Sequence, residues 1–525
     1  MKKKKSKKIA QQSKPTKLDE LKTLYHQHAK MYSILAVVLL FVILFVVRTN
    51  SIRLKSQFHS DEIFSVMLST CNDYYHSPLP NGEYTGEDLK GLIVKDNEGG
   101  LSGAFSDISQ LWINNGDAPH ASLYYMVLRI ALIGFDSFDI HELAWRGGIL
   151  NLMFFALSFF FMYKLLRRIF GDKLILILCG LALAFGNFMS IANTLLIREY
   201  QMAETGIIIL TLIAVNLVIA FRENQQVSKL KYVLGFGGII AYVVSLGYFN
   251  AIYVSLLGIA LIVAAFRYNR KNWIPLFFLS ALIAVAVAYA LYPGFFNFLI
   301  HESVHKTRAF TSVKNIWSYL FGRDIIMNFF TIYGFVIFVV ILIGVLVSKE
   351  RKNILKSDKF LWLPMIVLLS MVIILYASVL KMPRYYYPLL PVLALIVPQL
   401  ISHLPKSCSG YFDVLVVSYF AIIVCVFPVR VNYQWKPLSK ELNHKAQIFN
   451  LNPNEVVQLI PCMNDTIKYA ITNNDYIDIN KDEVSYIVTK DKLDINNDSI
   501  QSSKKLVLGK HIYLYEFKYI PNVVK

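Results

Sequence analysis

The chain has 525 residues, of which 55% are hydrophobic and 14% aromatic, and its mean hydropathy is +0.47. A composition this apolar excludes a soluble domain of this length. The formal net charge of +18 would suit a nucleic-acid-binding protein, but most lysines and arginines stand in short breaks between apolar runs, where membrane insertion requires them. The sequence therefore predicts a membrane protein whose basic residues set its orientation.

Residues 1–30 form a basic N-terminal segment that begins MKKKKSKK. The apolar run that follows, from Met31 to Val47, leads into Arg48, Arg53 and Lys55 rather than into a small-residue cleavage site. A cleaved signal peptide would need such a site. This run is therefore predicted to be a retained first membrane helix, with the basic segment in the cytoplasm.

Eleven apolar runs approach the roughly 20 residues that a helix needs to cross the hydrocarbon core. They lie near residues 31–48, 145–166, 173–191, 203–221, 231–248, 250–267, 273–294, 326–347, 360–380, 385–402 and 411–429. Alternate loops return to the cytoplasmic side rich in lysine and arginine, while the opposite loops hold few of them. The predicted fold is an all-α polytopic membrane protein of about eleven spans with an outer C-terminus.

Three long segments are predicted on the outer side, at residues 48–144, 295–325 and 430–525. Apolar residues after Asp61 recur at helical spacing, and Ser122 to Phe135 is too short to cross, so both are predicted to be amphipathic helices in the membrane interface. The last segment contains alternating runs such as HIYLYEF, which indicate β-strands. The predicted domains are the basic segment 1–30, the membrane domain 31–429 and a small soluble outer α/β domain at 430–525.

Two acidic residues, Asp61 and Glu62, stand just beyond the first membrane helix. Charges near hydrocarbon are costly and often functional. The alternative is that Ser60 caps a helix whose dipole the two carboxylates stabilise. Asp117 and His120 follow in the same loop, ahead of an aromatic-rich helix start, although a single histidine there is often a simple interface residue.

Several motifs in this order resemble the GT-C type of membrane glycosyltransferase, in particular the group containing protein O-mannosyltransferases and lipid A aminoarabinose transferases. The motifs are the Asp61 and Glu62 pair, HASLYY (His120 to Tyr125), WRGGIL (Trp145 to Leu150), LLRRIFG (Leu165 to Gly171), LIREYQMAE (Leu196 to Glu204) and MPRYYYPLLPVLAL (Met382 to Leu395). The chain departs from the family at Ala121 and Ser122, where the family pattern has prolines. The resemblance covers roughly the first four hundred residues.

The resemblance implies a hexosyl or pentosyl transferase that takes a sugar from a polyprenyl phosphate. Transfer would go to a lipid, glycan or protein acceptor on the outer side of a bacterial cytoplasmic membrane, with inversion at the sugar. An acceptor hydroxyl is a poor nucleophile, so Asp61 is predicted to accept its proton, and Glu62 to support it by orienting a partner. Partial desolvation would raise the pKa of Asp61 and strengthen it as a base.

The leaving lipid phosphate needs positive charge, and a guanidinium fork suits its oxygens. Arg198 and Arg384 are therefore predicted to bind substrate phosphate, with Tyr200, His120 and Asp117 beside them. The alternative for each arginine is snorkelling at a helix end or pairing with a neighbour such as Glu199 or Glu204. A second basic cluster in the loop 295–325 is a further alternative; it comprises His301, His305, Lys306 and Arg308.

No spacing of cysteines or histidines indicates a metal site, so no cofactor is predicted to be required, although oxygen and imidazole ligands in the first loop could bind a divalent ion.

The main rival function is a polytopic lipid or glycan transporter or flippase without transferase activity. Such a protein would place its ionisable residues at mid-bilayer. A second rival is a non-catalytic assembly protein on the same scaffold.

Overall fold

The computed structural model describes residues 17–55, 58–70, 79–94, 100–113, 115, 123–135, 138–293, 329–347, 360–378, 382–403, 446–450, 456–457, 459–460, 463–471, 486–489, 500–506 and 512–517. The helices are α1 (Lys17–Arg53), α2 (Ser60–Ser69), α3 (Gly86–Gly91), α4 (Gly100–Ile113), α5 (Leu123–Ala131), α6 (Ile140–Phe170), α7 (Leu174–Phe185), α8 (Phe188–Leu195), α9 (Tyr200–Arg222), α10 (Lys229–Val244), α11 (Asn250–Arg267), α12 (Ile274–Leu291), α13 (Thr331–Val347), α14 (Trp362–Ala377), α15 (Leu390–Leu393) and α16 (Ile396–Ser402). Two 3₁₀ helices, Lys271–Trp273 and Pro383–Leu389, lead into α12 and α15. The strands are β1 (Gly82–Thr85), β2 (Ala446–Asn450), β3 (Lys468–Ile471), β4 (Tyr486–Thr489), β5 (Ile500–Leu506) and β6 (Ile512–Phe517).

The first ten predicted spans coincide with helices, and the eleventh, at 411–429, lies outside the described residues. Within the described ranges, six helices are long and apolar enough to cross a membrane, and the bent pair of α7 and α8 raises this number to seven. Leucines such as Leu35 and Leu39 are exposed on α1, as expected of a helix that faces lipid. The prediction of an all-α polytopic membrane protein is confirmed.

The predicted span at 173–191 is not continuous, because α7 and α8 meet at an angle of 55°. Asn187 caps α8 by accepting the N–H of Ser190 at 2.8 Å. Arg48 of α1 is buried and points to this break. Its Nη2 donates to the carbonyl of Phe185 and to the hydroxyl of Ser190, both at 2.8 Å, and its Nε donates to the hydroxyl of Thr194 at 3.0 Å. These contacts satisfy polar groups that a broken helix would leave unpaired in the membrane.

Two neighbouring glycines on α6 allow two other segments, the end of α1 and the turn before α9, to pack closely against this helix. A Cβ at Gly148 would lie 2.7 Å from Ile52 at the end of α1, and one at Gly147 would lie 2.6 Å from Ile197, just before α9. Small residues commonly permit such contacts between membrane helices. The end of α1 and the turn before α9 are therefore both held against the same turn of α6.

The amphipathic helices predicted after Asp61 and near Ser122 are α2 and α5. Ile63, Val66 and Met67 of α2 are buried, as are Tyr124 and Leu128 of α5. The two helices pack against each other. Their apolar sides therefore contact protein.

The described strands form one sheet in the order β1-β3-β2-β4-β6-β5. The predicted run HIYLYEF contains β6, which confirms strands in the C-terminal segment. The sequence did not predict the contribution of β1, which comes from the long segment between α1 and α6 and pairs antiparallel with β3. The pair of Lys90 with Asp465, at 2.5 Å, adds a second link between that loop and the C-terminal segment. The predicted domain boundaries remain predictions.

Candidate functional site

The acidic pair lies in the first turn of α2, but the residue that caps this helix is His59 and not Ser60. The side chain of His59 accepts the N–H of Asp61 at 3.1 Å, and Glu62 Oε2 accepts the backbone N–H of His59 at 2.8 Å. This reciprocal arrangement is a capping box. The sequence interpretation was wrong by one position because a histidine ring nitrogen takes the place of the expected hydroxyl.

Glu62 is buried and points away from Asp61, into the protein. It forms an ion pair with Lys55, whose side chain is also only 3% exposed, and its Oε1 accepts the N–H of Ile197 at 2.9 Å. Lys55 donates in turn to the carbonyl of Leu195 at 2.6 Å. Burial lowers the pKa of Lys55, and the charge of Glu62 offsets only part of this. The pair thus joins the end of α1, the start of α2 and the turn before α9.

Asp61 remains one-quarter exposed and meets two arginines. Its Oδ2 lies 2.7 Å from Arg384 Nη2, and its Oδ1 lies 3.4 Å from His59 Nδ1. Burial alone would raise the pKa of Asp61, but the hydrogen bond with His59 and the charges of Arg198 and Arg384 outweigh it and hold that pKa well below its usual range. The expected rise in this pKa is therefore wrong for the free protein, since the sequence could not reveal the arginine partners.

Arg198 also contacts Asp61, from the turn that Lys55 and Glu62 hold. Its Nη1 is 3.3 Å from both the carbonyl of Asp61 and the hydroxyl of Ser65, and its Nε is 3.1 Å from Glu199 Oε2. The guanidinium also lies 5.8 Å from the centre of the Tyr125 ring. Arg198 therefore pairs with Glu199, as the alternative predicted, and it contacts Asp61 as well.

A cleft opens beside this cluster at the start of α9. Its lining includes Glu199 just before α9, Tyr200 at the start of α9, Tyr248 and Phe249 from the turn before α11, and Tyr385 next to Arg384. Tyr200, a predicted site residue, is thus brought into the site. The sequence analysis named Glu199 only as a partner for an arginine, and it did not identify His59, Lys55, Phe249 or Tyr385 as site residues. The tripeptide Arg-Glu-Tyr at the start of a span was the signal that could have identified Glu199.

The structure brings together five of the predicted site residues: Asp61, Glu62, Arg198, Tyr200 and Arg384. The other two, Asp117 and His120, lie outside the described residues, as does the alternative basic cluster in the loop 295–325. Across the described residues, no group of three or more histidines, cysteines or carboxylates is arranged to hold a metal ion. The roles of all these residues, and the absence of a required metal, remain predictions.

No protein-family model and no curated protein matches the sequence. Among solved structures, the chain is similar to the crystal structure of ArnT from Cupriavidus metallidurans bound to undecaprenyl phosphate. The TM-score is 0.50 at 10% sequence identity, and the match covers 91% of this chain and 97% of the ArnT chain. At this identity the likeness establishes the fold, which is the GT-C fold that the motifs predicted.

Proposed function

We propose that this chain with a GT-C fold transfers a sugar from a polyprenyl phosphate donor to an acceptor hydroxyl. The observation that carries the proposal is the contact of Asp61 with two arginines from distant parts of the sequence, since its carboxylate pairs with Arg384 and its backbone carbonyl accepts a hydrogen bond from Arg198. A carboxylate can take a proton from an alcohol, and two guanidinium groups can bind the oxygens of a phosphate. The undecaprenyl phosphate in the ArnT structure supports the choice of lipid donor.

The reaction is a single displacement with inversion at the anomeric carbon. The acceptor oxygen forms its bond to that carbon while the bond from the carbon to the phosphate oxygen breaks. The electron pair leaves with the lipid phosphate, where Arg198 and Arg384 stabilise its negative charge. The proton of the acceptor hydroxyl moves to Asp61. All atoms and charges are then accounted for without a metal or another cofactor.

The low pKa of Asp61 makes it a weak base while Arg384 is its partner. An incoming phosphate competes for the same guanidinium group. When Arg384 turns to the phosphate, the Asp61 carboxylate loses a compensating charge and its pKa rises toward the usual range for a carboxyl. The base thus gains strength only when the donor is bound, which limits unproductive proton uptake by the free enzyme.

We place the site on the outer side of a bacterial cytoplasmic membrane, with the N-terminus in the cytoplasm. The basic residues that end α6, α9 and α11, which include Arg167, Arg222 and Arg267, then all lie on the cytoplasmic side. Asp61, Arg198 and Arg384 lie together beyond the opposite ends of the helices. Lipid-linked sugars on the outer leaflet can reach a site in this position.

The test is transfer by the purified full-length protein in lipid nanodiscs, with radiolabelled polyprenyl phosphate sugars and lipid, glycan and protein acceptors. Arg384→Met should lower kcat/KM by about 10- to 100-fold, because a hydrogen bond between charged groups contributes about 1.5–3 kcal/mol. Arg53→Met is the matched control, since Arg53 is exposed at the end of α1. Absence of transfer from every donor, or equal activity of the two variants, would contradict the proposal.

A further inference from the structure

Helix α4 carries an apolar stripe that the rest of the protein leaves exposed. Leu101, Phe105 and Trp112 are 64%, 63% and 41% exposed, and Ile108 between them is partly buried. At about 100° per residue, these four side chains lie within about 60° of one another around the helix. A contiguous exposed apolar patch of this kind usually marks a contact with a membrane or another protein.

The other two sides of α4 differ from the stripe. On one side, Ala104 and Leu111 are buried, and Asp107 pairs with Arg129 of α5 at 2.7 Å, so this side contacts the protein. On the other side the helix exposes small polar residues, which are Ser102, Ser106, Ser109 and Gln110. Going round the helix, protein, apolar and polar sides follow in that order. A helix that lies in a membrane interface beside a protein needs this order.

The stripe continues a surface that faces lipid. Trp112 Nε1 donates to the carbonyl of Ala290 at 2.7 Å, in the last turn of the membrane span α12. On α12 itself, Leu282 and Tyr289 are 66% and 54% exposed, as expected of a span surrounded by lipid. The hydrogen bond therefore places the end of α4 where the lipid-facing surface of α12 ends.

This end of α12 lies on the same side of the membrane domain as Asp61. Arg270, just before α12, donates to the side chain of Asn224, just after α9. The first turn of α12 is thus beside the last turn of α9, and Ala290 is at the other end of the span. That other end is the one at which α9 begins, next to Arg198 and Asp61.

We propose that α4 docks in the lipid interface at the Asp61 end of the membrane domain. The side chains of the stripe lie among the acyl chains next to the headgroups, and the serines face water. Lipid is the occupant, and not a second copy of the chain, because the stripe runs on from the lipid-facing surface of α12. Trp112 suits this position, since its only polar group is already paired with the carbonyl of Ala290.

The contact is apolar and does not depend on charged lipids. Asp107 is the one charged residue of α4, and its carboxylate is already paired with Arg129. The docked helix also packs against α2, which carries Asp61 in its first turn. Docking of α4 therefore holds that turn close to the level of the lipid headgroups.

The experiment measures the depth of Trp112 in the full-length protein, in nanodiscs of phosphatidylcholine brominated either near the headgroup or near the bilayer centre. The difference in fluorescence between the wild type and Trp112→Phe reports on Trp112. Bromine near the headgroup should quench this difference about twofold more strongly than bromine near the centre, with or without added anionic lipid. Trp273→Phe is the control, because Trp273 is buried against Phe221 and Tyr232 and should respond little to either lipid.

Two neighbouring positions on α4 provide a matched pair of variants. Phe105→Glu places a carboxylate on the stripe and should about halve the quenching of Trp112, because a charge is costly in the acyl region. Ser106→Glu, one residue further on the exposed polar side, should leave the quenching unchanged.

Equal effects of the two glutamates would overturn the proposal. It would also be overturned by an absence of quenching from both brominated lipids, whether acrylamide reaches Trp112 from water or a second copy of the chain shields it. None of these measurements involves sugar transfer, so they test the docking of α4 separately from the proposed function.

Discussion

The buried pair of Lys55 and Glu62 offers a quantitative test of how the site is held together. Glu62→Gln would leave an ammonium group buried without its counter-charge, although the amide oxygen could still accept one backbone N–H. Lys55→Met would leave a buried carboxylate that keeps the N–H groups of His59 and Ile197. The double variant removes both charges and retains the size of both side chains.

Breaking a buried ion pair by removing one partner costs about 3–5 kcal/mol, because the remaining charge stays buried. We expect each single variant to lose about 3 kcal/mol of unfolding free energy, the lower end of that range, since backbone groups still pair with the remaining side chain. The double variant carries no buried charge, so its loss of unfolding free energy should be about 2–3 kcal/mol smaller than the sum of the two single losses. The double variant should therefore lose about 3–4 kcal/mol, hardly more than either single variant, instead of the roughly 6 kcal/mol expected if the two losses added.

The assay is a denaturant titration of the purified protein in mixed micelles, with the four proteins of the cycle compared in one detergent. Donor affinity measured on the same samples should follow stability, because Ile197 and Leu195 flank the turn that carries Arg198. Losses that simply add in the double variant would refute the reasoning, since they would show that the two side chains do not interact.

Further predictions concern the sheet, the pH dependence and the arginine partner. Gly86→Ala should loosen the C-terminal segment and speed its proteolysis, because the new Cβ would lie 2.1 Å from the carbonyl oxygen of Asn464. Gly91→Ala is the control, since its Cβ would meet nothing within 4 Å and the variant should behave as the wild type. Equal rates of proteolysis in the two variants would contradict this contact. The pKa of Asp61 is lowered in the free protein, and the proposal has it rise when the donor binds. As the pH falls, kcat should therefore decline at a higher pH than kcat/KM does. If the two parameters declined at the same pH, the release of Asp61 from Arg384 by the donor would be contradicted. In Arg384→Met, the acid limb of kcat/KM should move up toward that of kcat, as pH–rate profiles of both proteins would show.

The membrane helices could be predicted because their signal is local. Runs of apolar residues and the basic loops between them identified ten segments that are helical in the structure. The break between α7 and α8 could not be predicted in this way, because it depends on Arg48 from another helix, which pairs with the carbonyl of Phe185. The pairing of β1 with β3 depends likewise on residues that are far apart in the chain.

The residues of the site were predictable from type and order, but their electrostatics were not. The motifs selected Asp61, Arg198 and Arg384, and the structure places them together. The sign of the pKa change at Asp61 was wrong, since partial burial alone argues for a rise and only the fold shows two guanidinium groups beside the carboxylate. Glu199 was overlooked as a lining residue of the cleft for the same reason, because its place beside Arg198 and Tyr385 is a property of the packed structure.

The central claim is that Asp61 takes the proton while the arginines hold the lipid phosphate. It is tested most directly by measuring donor binding and single-turnover transfer on the same preparation of Asp61→Asn, with Asp88→Asn in the exposed capping box of α3 as the control. The variant should bind the polyprenyl phosphate sugar at least as tightly as the wild type, because Arg384 is released from its partner, and should transfer about 100-fold more slowly or less. Transfer at the rate of the wild type, or loss of donor binding together with transfer, would contradict it.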